Sequence, residues 1–414
     1  MHILFLSDNF PPEVNAPATR TFEHCKEWVK AGHRVTVITC APNFPRGRIY
    51  DGYRNRLWQS EQLDGIRVIR IWSYVAANEG VVRRTLDYLS YMVSAVLAAP
   101  FVRRIDLVVG TSPQFFTACA AYLVSRMKRV PFVFELRDLW PESIKAVGAM
   151  RDGALLRWLE RLEIFLYKRA TKIVTVTRAF KHALTDRGID LDKIEVITNG
   201  VDVSRFHPQP KDPVLEAQYG LTDAFVAGYI GTHGMAHGLM TVLDAAEKLK
   251  DTTRVGPRFH FLMLGDGAMK SSLVSEADKR RLNNVTFLDS VPRDQVSLYW
   301  SLLDVCIIHL RKEPLFTTVI PSKLFEAMAM GIPVVHGVAG ESAELVKCED
   351  IGLTFESENA ADLCDALVRL NEDRELRERL RTNCTTAAQR YDRKGLAEKM
   401  LAVLKQTAGG ESAG

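Results

Sequence analysis

The sequence predicts an α/β protein of two successive units, each with a doubly wound parallel sheet. Three observations predict it. Short β-branched and apolar runs alternate with longer amphipathic segments from the first residues onward. The alternation stops at a turn-rich linker and then restarts. The 414 residues, 47% hydrophobic and 25% charged, suffice for two separate cores and exclude disordered or fibrous classes.

His2–Ser7 reads as a buried strand, Asn9–Pro17 as a Pro-rich loop, and Thr19–Lys30 as a helix stopped at Ala31-Gly32-His33. Arg34–Thr39 is the second strand, completing a βαβ unit. The loop after the first strand would lie at the ligand-binding edge of such a sheet. Dinucleotide enzymes carry G-x-G-x-x-G there. DNFPPEVNAPATR contains no glycine, which argues against a nicotinamide or flavin dehydrogenase. Residues 43–65 are polar, basic and aromatic, a surface loop with a hairpin, and Ile66–Ile71 is the next strand. Arg84–Arg104 is a mostly apolar helix with paired arginines at each end, either packed or facing a membrane. Leu107–Gly110, Phe132–Glu135, Lys172–Thr177 and Ile194–Ile197 complete the strands. Phe115–Met127 is a helix, and Leu136–Glu142 follows its strand as a loop. Ala154–Arg169 places Leu155, Trp158, Leu159, Leu162, Phe165 and Leu166 on one helical face, bordered by Arg157, Arg161, Lys168 and Arg169. Asn199–Pro213 is the linker, an Asn-Gly turn followed by three prolines.

The restart is Phe225–Ile230, then a glycine-rich loop Gly231–Gly238 and a helix Leu239–Leu249. Phe259–Leu264 ends in Gly265-Asp266-Gly267. Val285–Leu288, Val305–Ile308 and Pro333–His336 continue the sheet. From about Ala360 the chain is helical, and Thr407–Gly414 is expected to be disordered.

Charge is uneven. Residues 1–200 hold 29 Lys/Arg against 20 Asp/Glu, and the remainder holds 25 against 30. A basic first half suits an anionic membrane surface or phosphorylated lipid, and no Arg/Lys run interleaves with aromatics as nucleic-acid binding requires. The seven cysteines are scattered without a C-x-x-C pair, which indicates neither zinc nor a disulfide framework. The first strand starts at His2 and leaves no room for a signal peptide. The uncharged run Tyr88–Val102, which contains Pro100, is too short to span a bilayer. A reducing, cytoplasmic setting is expected.

The most informative stretch is Phe316–Val335, FTTVIPSKLFEAMAMGIPVV. Pro321-Ser322 starts a short helix, Lys323–Met330, and Gly331 ends it. The loop before such a helix presents free backbone N–H groups at the positive end of the helix dipole, and Lys323 adds a full charge. Glu326, one turn further in, can accept hydrogen bonds from sugar hydroxyls. A phosphate beside a ribose satisfies both features, as in a nucleotide-sugar. An ordinary αβ unit with solvated charges is the plain alternative.

The ordered set FPPE, LRDLWPE, LERLEIFLYKRATKIVTVT, ITNGVDVSRFHP, YIGTHGMAHGL, LMLGDG, VTFLDSVP and IPSKLFEAMAMGIPVV resembles the retaining GT-B glycosyltransferases of family 4 over essentially the whole chain. Within the family, the combination of FPPE, LRDLWPE and PSKLFEAMA resembles the bacterial branch that builds O-antigen or capsule repeat units, including L-fucosamine transferase-like members. The resemblance implies two Rossmann-like domains facing a cleft. Residues 1–205 would form the acceptor domain, joined by a last helix at 391–407 that crosses back. Residues 206–390 would form the nucleotide-sugar donor domain. It implies a lipid-linked glycan acceptor, a UDP-linked donor, no cofactor and no metal. D-x-D occurs only at Asp190-Leu191-Asp192, in a turn. The location it implies is the cytoplasm, at the inner face of the plasma membrane if the basic half makes contact there.

Carried over by position, Glu326 matches the ribose-holding glutamate of the family's Glu-x7-Glu motif. The first glutamate is Thr318 here, so recognition of the transferred sugar departs from the common pattern, with Val319 and Ile320 N–H groups as substitutes. The Arg and Lys of the glycine-rich loop are Thr232 and His237. Phosphate neutralisation therefore leans on Lys323, Ser322 and the helix start, with Gly231, His233 and His237 nearby. The N-terminal His-Asp pair appears as Arg137-Asp138. Arginine cannot act as a base, so Arg137 positions or neutralises and Asp138 buttresses it. Asn15-Ala16 replace the diphosphate-facing glycines, Asp266 is placed at base or ribose, and Ser290-Val291 match the base-reading segment. The implied mechanism has no protein nucleophile: the leaving phosphate takes the acceptor's proton while the protein orients and stabilises charge. A non-catalytic subunit of a polysaccharide assembly, a GT-B-fold epimerase and a phosphorylase are the competing readings.

Overall fold

The computed structural model describes residues 1–44, 47–76, 81–139, 153–250, 258–292 and 294–409. They form two compact units, Met1–Thr198 with Arg393–Gly414, and Asn199–Asp392.

The first unit carries an eight-stranded sheet: β1 His2–Leu6, β2 Arg34–Cys40, β3 Trp58–Leu63, β4 Ile66–Ile71, β5 Leu107–Thr111, β6 Phe132–Leu136, β7 Lys172–Thr175 and β8 Ile194–Val196. Their spatial order is β3-β4-β2-β1-β5-β6-β7-β8. All neighbours are parallel except β3 and β4. β1, β5 and β6 are buried at every residue, as strands covered by helices on both faces must be. The edge strand β3, WQSEQL, alternates exposed and half-buried residues. It turns into β4 at Asp64-Gly65, both at positive φ (49° and 80°), the hairpin turn that an Asp-Gly pair favours.

Several boundaries differ from expectation for local reasons. The first helix begins at Ala16 rather than Thr19, because Asn15 caps it and Pro17 fits its first turn. The long apolar helix is Val81–Ala98, and a 3-10 turn, Ala99–Phe101, replaces its continuation at Pro100. In the helix Ala154–Arg169 the buried face is rotated from the expected stripe. Leu156, Leu159, Glu163, Leu166 and Tyr167 face inward, while Trp158 and Phe165 face outward. Tyr167 Oη donates to Glu163 at 2.6 Å, and Arg187 pairs with it at 3.0 Å, which accounts for a buried carboxylate on that face. Pro45, Arg46, residues 140–152, the Leu155 side chain and residues 410–414 lie outside the described residues.

The second unit's sheet consists of β9 Ala224–Ile230, β10 Arg258–Leu264, β11 Val285–Leu288, β12 Val305–His309, β13 Val334–Gly337 and β14 Gly352–Thr354. It is parallel throughout, in the order β11-β10-β9-β12-β13-β14. The strand period of two sorts β9 between two cores. Phe225, Ala227 and Tyr229 join one, Val226 and Ile230 the other. β14, three half-buried residues, was not expected.

The last helix, Arg393–Gly409, belongs to the first unit and extends through residues 407–409, expected to be disordered. Leu396, Met400, Leu401 and Leu404 share one buried cluster with Ile3, Phe5 and Trp28. Trp28 Nε1 donates to the Ala397 carbonyl at 2.9 Å, and Arg393 pairs with Glu23. The seven cysteines are all free, and among the described residues no helix is long and apolar enough to cross a membrane.

Candidate functional site

The order of the second sheet reverses at β9. The chain runs outward through β10 and β11, then returns to β12 on the other side. Loops leaving β9 and β12 therefore diverge and open a crevice at the carboxyl ends of the strands. The Gly231–Gly238 loop leaves β9 there, and His309 ends β12.

Backbone pairing continues past the strand ends and fixes the glycine-rich loop. Gly231 N–H donates to Leu264 O at 2.9 Å, His233 N–H to Asp266 O at 2.9 Å, and Gly265 N–H to Leu288 O at 3.1 Å. Gly265 sits at φ 146°, and a Cβ there would run into the Gly231 carbonyl. The glycines of YIGTHG and LGDG are needed because these two backbones touch.

Tyr229 organises the crevice floor. Its hydroxyl donates to the Thr232 carbonyl at 2.8 Å, and the His233 and His237 rings stand 5.8 and 6.0 Å from its ring. The Lys323 ammonium lies 3.5 Å from its centroid, a close cation–π contact. Lys323 Nζ, both ring nitrogens of His233 and Nδ1 of His237 are buried with no hydrogen-bond partner among the described residues. Buried polar atoms are nearly always satisfied, so this concentration marks a place shaped for a polar group. Burial draws the Lys323 pKa down to about 7, against the opposing pull of Cys306 and Glu326. Burial, with Lys270 and Lys323 adding to it, lowers His233 to about 4. Burial and then Lys323 lower His237 to about 3. Both imidazoles are neutral at pH 7 and bring hydrogen-bonding nitrogens rather than charge.

Lys323 comes from the helix Lys323–Met330, whose first turn also carries Glu326. Ser322, at its N-cap, makes no side-chain cap. Leu324 and Phe325 N–H groups are bound to Pro321 and Ser322 carbonyls, whereas Ser322 and Lys323 N–H groups donate to none of the described residues. Two backbone donors and one cation therefore gather at the helix start. In the preceding 3-10 segment Pro314–Thr318, Thr318 Oγ1 is committed to the Leu315 carbonyl at 2.7 Å. Val319 N–H makes only a long 3.5 Å contact to Phe316 O, and Ile320 is buried.

Asp266 is exposed and accepts from Gly267 N–H at 2.8 Å. Ser290 is exposed beyond β11, and Val291 packs on the core. Lys270 secures this edge, donating to the Gly265 and Leu288 carbonyls at 2.8 and 2.9 Å and to Asp289 at 2.5 Å. Among the described residues no group of His, Cys, Asp or Glu could hold a metal ion.

The remaining expected residues lie in the first unit. Ser112 Oγ accepts from the N–H groups of Arg137 (2.7 Å) and Asp138 (3.2 Å). Arg137 Nε and Nη1 are buried without a partner among the described residues. Burial lowers its pKa to about 10, and its charged neighbours are Glu135, Arg20 and Arg393. The Asp138 charge bears on Glu163 and Tyr167. Asn15 is spent on structure: Oδ1 accepts from Ala18 N–H, and Nδ2 donates to Asn9 at 2.7 Å. Ala16 is exposed at the helix start.

Three features escaped sequence reading. Tyr229 looks like any strand aromatic. His309 donates from Nδ1 to the His237 carbonyl (2.7 Å) and accepts the Glu358 N–H at Nε2 (2.8 Å), which fixes a neutral tautomer that pins the loop. Arg20 reaches Glu135 at 2.9 Å, and both side chains are buried.

Residues 18–205 match the family described as Glycosyltransferase Family 4, and residues 214–386 match Glycosyl transferases group 1. A glycosyl transferase named for colanic acid biosynthesis, WcaI of Escherichia coli (strain K12), is 25% identical over 341 residues, covering 80% of this chain and 82% of that one. The UDP-Gal:alpha-D-GlcNAc-diphosphoundecaprenol alpha-1,3-galactosyltransferase of Escherichia coli is 26% identical over 224 residues, 52% of this chain and 55% of that one. The solved structure of Anabaena HepE in complex with UDP superposes with a TM-score of 0.71 at 20% identity, covering 98% of this chain and 100% of that one. Such likeness shows the two-unit GT-B fold.

Proposed function

Because this chain is a glycosyltransferase, with a family 4 segment followed by a group 1 segment, we propose that it transfers a sugar, with retention and without a metal, from a UDP-sugar to a lipid-linked glycan acceptor in bacterial surface-polysaccharide synthesis. One observation carries the donor half of this reading. Lys323, two helix-start N–H groups without an acceptor among the described residues and two neutral histidines lie at the switch point of the second sheet, a constellation suited to a diphosphate. The second unit is thus the donor unit and the first the acceptor unit. UDP and the lipid-linked acceptor are supported by what the names of HepE's complex and the galactosyltransferase say of those proteins. Thr318, whose hydroxyl is already committed, points to a donor other than glucose or mannose, with amino sugars first. A panel of UDP- and GDP-sugars, assayed in EDTA for released nucleotide, tests the proposal. Release from UDP-amino sugars is expected. Release that requires added Mg²⁺ or Mn²⁺, or occurs only with GDP-sugars, refutes the respective element.

Glu326 is assigned to the ribose. Replacing it with alanine should weaken UDP and UDP-sugar binding alike by about 2–3 kcal/mol, the value of charge-assisted hydrogen bonds. Calorimetry decides this, and unchanged affinity in a folded variant removes the assignment.

The first unit is proposed to rest on an anionic membrane at the cytoplasmic face. The neighbouring helices Val81–Ala98, Phe115–Lys128 and Ala154–Arg169 expose Leu97 (67%), Phe101 just beyond the first (70%), Leu123, Met127 and Trp158 (54%). Arg103, Arg104, Arg126, Arg129, Arg157 and Arg161, which flank Phe101, Met127 and Trp158 in sequence, are also exposed. Exposed apolar side chains with exposed arginines beside them in sequence suit an interface of acyl chains beneath anionic headgroups. Flotation with vesicles should increase with anionic lipid and decrease with salt. Absence of flotation at low salt on anionic vesicles excludes this contact.

A further inference from the structure

Lys323 is a cation with an unusual companion. Its ammonium is buried, has no hydrogen-bond partner among the described residues, and is held against an aromatic face. Among the described residues, the groups that bear on it come from three elements and one loop. Tyr229 supplies the ring from β9, and Cys306 lies on β12. His233 and His237 come from the loop after β9, and His309 ends β12. Glu326 is on its own helix. Glu326 is the one carboxylate among these groups, and the imidazoles are neutral.

The same tyrosine that receives the ammonium also fixes the loop, through its hydroxyl on the Thr232 carbonyl. One side chain therefore sets the distance between the cation and the glycine-rich backbone. Packing around that backbone is tight, since a Cβ on Gly231 would sit 3.1 Å from Lys323 Nζ.

We infer that Tyr229 is a positioning residue that parks Lys323 on its ring, and that binding of a nucleoside diphosphate draws Lys323 into full charge by uptake of a proton from solvent. This rests on the donor-site reading above. The atoms balance simply: the amine nitrogen takes one proton from buffer, and no other bond forms or breaks. The sign follows from linkage. An anion favours the charged amine, so bound Lys323 holds its proton to higher pH than free Lys323, and binding consumes protons between the two values. With a free value of about 7, binding at pH 8 should take up about 0.8 proton and at pH 6 about 0.1. Affinity for the diphosphate should therefore fall as pH rises above 7.

The test is calorimetry of UDP binding at pH 8, where UDP's own phosphate no longer titrates, in two buffers of different ionisation enthalpy. The parent should take up about 0.8 proton. Lys323→Arg, always charged, should bind with no uptake. Tyr229→Phe keeps the ring and should keep the uptake. Tyr229→Leu opens the site to water and should lose most of the uptake together with about tenfold in kcat. Uptake by Lys323→Arg equal to the parent's would assign the proton to the histidines and overturn the inference. Binding by the parent without uptake would overturn it as well. Parent-like kcat and uptake in Tyr229→Leu would remove the positioning role. Failure of the parent to bind UDP at all would instead refute the donor site, and this inference with it.

Discussion

Lys323→Ala is expected to lower kcat by about 10²–10³-fold, with a smaller rise in donor KM. The leaving diphosphate gains negative charge as the glycosidic bond breaks. A cation held beside it stabilises the transition state more than the ground state, so its loss appears in turnover. The described crevice offers little substitute, because His233 and His237 are neutral at pH 7. Lys323→Arg should rescue only part of the loss, since a flat guanidinium fork is bulkier and aimed differently. Steady-state kinetics decide the matter. A kcat within about threefold of the parent would dismiss Lys323 and direct attention to the histidines. The substitution also carries its own folding control. A buried lysine with a lowered pKa costs stability most below about pH 7, and the cost is relieved as pH rises toward the ordinary lysine value. Lys323→Met should therefore raise Tm by about 2–4 °C while lowering kcat as Lys323→Ala does, separating loss of function from loss of fold.

Arg20→Met is expected to destabilise the protein by about 3–5 kcal/mol, as removal of one partner from a buried ion pair does. Arg20 holds Glu135 at 2.9 Å and also donates to the Ile197 and Thr198 carbonyls at 3.0 and 2.7 Å. Burial pushes the Glu135 carboxyl upward, but Arg20 and Arg137 outweigh it and leave its pKa lowered. The stability it contributes is present above the ordinary carboxylate range and is lost as pH falls through the lowered value. Adding Glu135→Gln to Arg20→Met should restore part of the loss, because the uncompensated charge is then gone. Denaturant unfolding of the two single variants and the double variant measures this. Additive losses would show that the pair is not the source of the effect.

The sheets were legible because parallel strands buried on both faces leave continuous apolar runs, and β1, β5, β6 and β9 are such runs. β3 was legible only as a hairpin, because an edge strand with one wet face has no such run, and β14 is too short to carry a pattern. The helix Lys323–Met330 was found to the residue because proline and glycine punctuate it. The surroundings of Lys323 were not found. Tyr229, ninety-odd residues earlier, declares itself only when β9 and β12 lie side by side. The same holds for Arg20 and Glu135, 115 residues apart. Helix periodicity misplaced Trp158 and Phe165, since it reports that a face is apolar and not which part of that face another helix covers.

The docking of Arg393–Gly409 on the helix Ala16–Lys30 also has a consequence in time. The first unit is drawn from two stretches of chain, with the 194 residues of Asn199–Asp392 made between them. At about 5–20 residues per second, the ribosome takes about 10–40 s to make that interval. Throughout it, the side of β1 and Trp28 that Leu396, Met400 and Leu404 will cover lacks that helix. The second unit, contiguous in sequence, can finish folding before the first. Completion of the first unit's core therefore waits on a helix made after the whole second unit, and until then that apolar face stays open to solvent or to a chaperone.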